Sequence, residues 1–224
     1  MGTIGIEWVR KYNGLANNLT NTKPQAEGFY NTLAATRRFA WGDDLAWDQD
    51  FEQKNVGAPS AGTDTAWADN VDMVFFSGHG SPGGFHFGVK IDDSVAKPTE
   101  MRLGDRQMEW IALDACNILE SNGVFGRWGW PVFTGLHYVL SFHTTTSDEP
   151  DRGRILAQYL NAGNTVRQAW IKACQDTEDS DTQWAYLRAD AQGTDTFNDH
   201  WWGKGFVSAD PANPNVLFYA RGAC

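Results

Sequence analysis

Two side chains in this sequence have the type and the setting for nucleophilic chemistry. His79 lies in Ser77-Gly78-His79-Gly80, directly after the apolar run at 71–76. Cys116 follows 37 positions later (116 − 79), in Asp114-Ala115-Cys116, directly after a second apolar run at 110–113. A thiol attacks a carbonyl as its thiolate, and a neighbouring imidazole can take that proton and return it to the leaving group. Gly78 and Gly80 leave the backbone around His79 open, so its N–H groups can approach a developing oxyanion. Asp114 stands two residues before Cys116 and shares its side of an extended strand. It would bring negative charge to any pocket beside the thiol, which suits a cationic group. Left unpaired, it would also raise the thiol pKa. His143 follows a third apolar run, at 136–142, and is expected at the rim of the same cleft.

Other chemistries have less behind them. The sequence holds no GxSxG and no GxxxxGK[ST] phosphate-binding loop. His86, His137, His143 and His200 have no ligand spacing among themselves, and a zinc site of His79, His86, Cys116 and His143 would have to be gathered by the fold alone. Asp43, Asp44, Asp48 and Asp50 could hold Ca²⁺ but read more simply as a solvated acidic loop. No metal and no cofactor is expected. The three cysteines are too few for a disulfide framework and allow at most one bridge.

The elements that must position His79 and Cys116 are strands and helices in alternation. Residues 4–9 form a first strand. Pro24 opens a helix with Ala26, Phe29, Tyr30, Leu33 and Ala34 on one face. The runs at 71–76, 110–113 and 136–142 have the continuous apolar character of buried parallel strands. Phe85, Phe87 and Val89 alternate as in a hairpin arm, and 122–127 suits a short helical turn. Ile155, Leu156, Tyr159 and Leu160 face a helix that Gly163 ends. Asn164 is positioned to cap the next, which carries Val166, Ala169, Trp170, Ala173 and Cys174 on its apolar face. Cys174 is therefore a core residue. Residues 187–189 and 216–220 form late strands. This alternation implies a mostly parallel sheet with helices on both faces, and sites in such sheets form beyond the carboxyl ends of the strands.

An apolar strand ending at His79-Gly80, followed by a second ending at Ala115-Cys116, resembles the caspase, legumain, gingipain and clostripain superfamily of cysteine peptidases. Over roughly residues 4–175, and in the helix pair at 151–174, the chain is similar to caspase-like domains. Residues 176–224 resemble an extension found in a bacterial and fungal gingipain-like group. The resemblance implies an α/β, caspase-like three-layer sandwich, with residues 1–224 as one domain and 176–224 packed on its core. It implies a cysteine endopeptidase with Cys116 as nucleophile and His79 as general acid/base. The amides of Gly80 and Cys116 would form the oxyanion hole. Asp114 and His143 would bind substrate, with a basic residue preferred before the scissile bond. Peptide ligation on the same dyad, or a catalytically silent fold that binds peptide or glycan, are the alternatives. One departure concerns the cleft: related enzymes often carry glycine one or two residues after the nucleophile, where this chain has Asn117 and Ile118.

Composition fits these readings. Of the 224 residues, 42% are hydrophobic and 21% charged, enough for one large folded core. A net charge of −10 disfavours nucleic acid and favours cationic substrates, while a peptide or protein as partner is what the resemblance implies. No run approaches the ~20 apolar residues of a membrane span, and no signal peptide is visible. The sequence holds 11 tryptophans. Most are expected as large core anchors; Trp41, Trp47, Trp128, Trp130, Trp201 and Trp202 lie in Gly- and Asp-rich segments, where the alternative is rings lining a sugar- or peptide-binding cleft.

Overall fold

The computed structural model describes residues 1–57, 62–91 and 93–224. In chain order the strands are β1 (Thr3–Trp8), β2 (Thr36–Gly42), β3 (Met73–Ser77), β4 (Gly80–Ser81), β5 (Gly84–His86), β6 (Val95–Ala96), β7 (Trp110–Asp114), β8 (Tyr138–Phe142), β9 (Gln183–Asp190) and β10 (Val216–Ala223). The helices are α1 (Thr22–Thr32), α2 (Arg152–Asn161) and α3 (Val166–Gln175). A seven-stranded sheet runs in the order β2-β1-β3-β7-β8-β9-β10. From β2 to β8 neighbours are parallel; β9 and β10 are antiparallel additions at one edge. Every residue of β3, β7 and β8 is buried, which is why these strands are apolar without alternation.

The expectation of helices on both faces is not met. All three α-helices share one core with Ile6, Phe75, Ala112 and Leu140, on a single face of the sheet. The opposite face presents Val74, Phe76, Ile111, Leu113 and Val139. It is covered by Phe51, Phe85, Phe87, Met101 and Trp128, from loops, the small antiparallel sheet β4-β5-β6 and a π-turn at Phe125–Gly129. The connections β2–β3 and β3–β7 lack a 3.6-residue apolar period, so they cover this face as irregular chain rather than as helix.

Residues beyond 175 are also more than an extension. β9 and β10 complete the main sheet, and the fully buried Trp201 joins the helix-side core. The cap of α3 falls one residue later than expected: Thr165, not Asn164, accepts from the Gln168 amide at 3.3 Å, and the Gln168 side chain accepts from the Thr165 amide. Among the described residues no helix is long and apolar enough to cross a membrane.

Candidate active site

β3 and β7 are neighbours in register, with Ser77 beside Asp114 at their carboxyl ends. The chain leaves β3 through Gly78, whose amide donates to the Asp114 carbonyl at 3.2 Å. His79 and Cys116 follow, and both line one cavity of about 90 Å³ together with Leu19, Thr22, Asp114, Thr146 and Asp148. Gly80 is a forced choice here. A Cβ at that position would lie 2.7 Å from the Ala115 Cβ and 2.9 Å from the Cys116 carbonyl oxygen, so any side chain would push the two segments apart.

The histidine is oriented by a loop whose role the sequence did not disclose. His79 Nε2 lies 2.7 Å from the Asn17 carbonyl oxygen. A carbonyl only accepts, so Nε2 carries the hydrogen and, in the neutral ring, Nδ1 keeps the lone pair. The His79 amide donates to the Tyr12 hydroxyl at 2.7 Å, and the two rings pack at 4.6 Å between centroids. The loop carrying Asn17 is pinned by Asp148, which accepts the Thr20 amide at 2.6 Å and the Asn21 amide at 3.0 Å.

The thiol is held from the other side. The Thr146 amide donates to Cys116 Sγ at 3.4 Å, and the Thr146 carbonyl lies 3.6 Å from the same sulfur. Burial pushes the thiol pKa up; the Thr146 amide offsets part of that, and Asp114 and Glu178 add to the rise. Asn117 has φ +58, so it supplies a left-handed turn directly after Cys116, where the chain has no glycine. Asparagine is among the few residues that tolerate that region.

Asp114 occupies the predicted position but not as a free acid. Arg152, itself fully buried, donates to its Oδ1 at 2.6 Å, and Gln25 donates to its Oδ2 at 2.5 Å. Burial still lifts its carboxyl to about 6, with Arg152 holding it down. Arg152 also pairs with Glu178 and donates to the Thr177 hydroxyl at 2.9 Å. Glu178 accepts from the Thr146 hydroxyl at 2.7 Å and the Ser147 amide at 2.9 Å, so one polar chain runs from Asp114 through Arg152 and Glu178 to the loop that holds the sulfur.

His143 does not join the cavity. Its Nδ1 accepts from the Ser121 amide at 3.1 Å, and Tyr219 and Arg221 of β10 engage the ring. His86 lies beside His79 in a neighbouring cavity, where burial and His79 lower its pKa. The acidic loop is not uniformly solvated: Arg10 grips Asp43, while Asp48 and Asp50 are buried. Among the described residues no three His, Cys, Asp or Glu side chains gather as metal ligands. Trp128 and Trp201 are core residues, whereas Trp41 and Trp47 do line a cavity.

The molecule is thus an α/β protein with an imidazole and a thiol in one cavity at the carboxyl edge of its parallel strands. The sequence model of a family described as a domain of unknown function, DUF6345, matches residues 6–222, and the chain belongs to that family. No curated protein matches the chain.

Proposed function

We propose that this protein is a cysteine peptidase of caspase-like fold that cleaves peptide bonds with Cys116 and His79. The observation that carries the proposal is the shared cavity: adjacent parallel strands end in register and deliver both side chains to it. As Sγ attacks the scissile carbonyl, Nδ1 of His79 takes the thiol proton, and the Asn17 carbonyl steadies the imidazolium through Nε2–H. Two amides suit the oxyanion. His86 donates to the His79 carbonyl at 3.0 Å, which makes Gly80 and Phe85 a non-hydrogen-bonded pair and turns the Gly80 amide away from β5. The Cys116 amide has no acceptor among the described residues. Collapse of the tetrahedral intermediate expels the amine, protonated by His79, and leaves a thioester on Cys116. Water, deprotonated by His79, then releases the acid; an amine in its place gives the ligase variant.

A preference for Arg or Lys before the scissile bond remains part of the proposal, but its carrier moves. Asp114 is paired to Arg152, so Asp148, which lines the cavity and whose carboxylate accepts the backbone amides of Thr20 and Asn21, supplies the attraction. The silent alternative draws support from one observation, the raised pKa of the Cys116 thiol. Fluorogenic peptides ending in Arg, Lys, Asn or Asp, assayed with wild type, Cys116→Ala and His79→Ala, decide between them. The peptidase reading expects turnover of the basic peptides that both variants abolish. Turnover that survives Cys116→Ala, or no turnover of any peptide while peptide binding persists, overturns it.

A further inference from the structure

A second cavity, of about 170 Å³, lies at the outer edge of the sheet and is lined by Trp41, Leu45, Trp47, Asp50 and Trp67. Trp41 sits near the end of β2, and the other four come from the connection to β3. The indoles of Trp41 and Trp67 meet at 5.3 Å and 87°, forming two perpendicular walls, and the partly exposed Trp47 provides a third. Asp50 is 2% exposed and forms the polar part of the lining. Behind it lies Glu7, which pairs with Trp41 across β1 and β2 and so projects from the same face of the sheet. Glu7 is fully buried against Asp50 and Asp48, and neither of its oxygens makes a well-formed hydrogen bond. No lysine or arginine lines the cavity among the described residues.

We propose that this cavity binds a quaternary ammonium head group. Indole rings attract cations through their quadrupole, and three indoles lining a cavity with the Asp50 carboxyl, with no lysine or arginine lining it among the described residues, are complementary to positive charge. The choice of a methylated head follows from what the walls lack. A primary ammonium needs an acceptor for each of three donors. Sugar hydroxyls need several polar partners, yet the Trp47 indole N–H is already directed at the Asp44 carbonyl, at 3.0 Å. The volume is close to the ~150 Å³ of a cavity that takes up benzene and below the ~300 Å³ where drug-sized sites begin, which fits a head group rather than a whole glycan. The site stands three strands out from Cys116, and the inference does not depend on the peptidase reading.

The test is titration of the whole protein, followed by calorimetry and tryptophan fluorescence. The probes are choline, a trimethyllysine peptide, the neutral isostere 3,3-dimethylbutan-1-ol and a glucose oligosaccharide. Saturable binding of choline or the trimethyllysine peptide is expected, with the neutral isostere at least tenfold weaker. The tighter of the two cationic probes identifies the source as a free solute or a modified chain. Asp50→Asn and Trp47→Ala should each weaken binding at least fivefold. Leu45→Lys, at a position 59% exposed, should weaken it likewise without touching the core. Equal binding of the neutral isostere, binding of the oligosaccharide alone, no saturation at millimolar cation, or undiminished affinity in Asp50→Asn and Leu45→Lys would overturn the proposal.

Discussion

Replacing Arg152 with methionine tests the polar chain beneath the thiol. Arg152 is fully buried, and its guanidinium is the cation facing both Asp114 and Glu178. Methionine keeps much of the aliphatic stem and removes the charged guanidinium, whose Cζ lies 4.9 Å from the centre of the Phe142 ring. Removing one partner of a buried ion pair leaves an uncompensated charge and costs about 3–5 kcal/mol. That is a large share of the roughly 5–15 kcal/mol that holds a domain folded. With a urea slope near ~3 kcal/mol/M, the midpoint should fall by about 1–1.7 M. The loss should also depend on pH. Burial already lifts Asp114 to about 6, and without Arg152 its carboxyl rises further. A folded-state pKa above the unfolded value means the penalty is relieved as pH falls, so Arg152→Met should cost less at pH 5 than at pH 8. Urea unfolding at both pH values, with Asp114→Asn alone and combined, provides the measurement. A loss below about 1 kcal/mol, identical at both pH values and additive with Asp114→Asn, would mean that Arg152 acts by packing alone and would refute the reasoning.

Iodoacetamide near neutral pH should label Cys224 first, because contact with Cys174 lowers its thiol pKa and it is partly exposed; Cys116 should follow and Cys174 react only on unfolding. Mass spectrometry of the timed adducts reads the order, and Cys116 reacting fastest would contradict a thiol whose pKa burial raises. Thr165→Ala removes the capping box of α3 and should cost about 1 kcal/mol by urea unfolding, whereas an unchanged midpoint would show the cap to be idle. Glu109 is pushed up to about 9 by burial and by Asp72 and Asp210, so the folded chain keeps a proton that the unfolded chain releases. Its contribution is present below the unfolded value near ~4.3 and fades as pH rises through about 9. The unfolding midpoint should therefore drop between pH 6 and pH 9 and drop less in Glu109→Gln; equal slopes would remove Glu109 as the cause.

The parallel strands were readable because both their faces are buried, and burial on both faces leaves an unbroken apolar run such as Val74-Phe75-Phe76. The pairing of His79 with Cys116 was readable for the same reason, since each follows such a run. The irregular layer was not, because Phe51, Phe85 and Trp128 cover the sheet without any period. At the site, the groups that hold His79, Cys116 and Asp114 are a backbone carbonyl at Asn17, a backbone amide at Thr146 and an arginine 38 residues past Asp114. Main-chain atoms are the same in every residue and leave no mark on a sequence. Arg152 opens α2 with nothing beside it in sequence to mark it, and burial brings it against Asp114 and Glu178. Asn117 did carry a signal, since asparagine is a common substitute for glycine at positive φ.

The loop that supports the Cys116 sulfur is fastened by Glu178, 62 residues later in the chain (178 − 116). At about 5–20 residues per second of synthesis, between ~3 and ~12 seconds separate the appearance of the thiol from that of its fastening. Throughout that interval a growing polypeptide carries Cys116 before the carboxylate that fastens its supporting loop has been made.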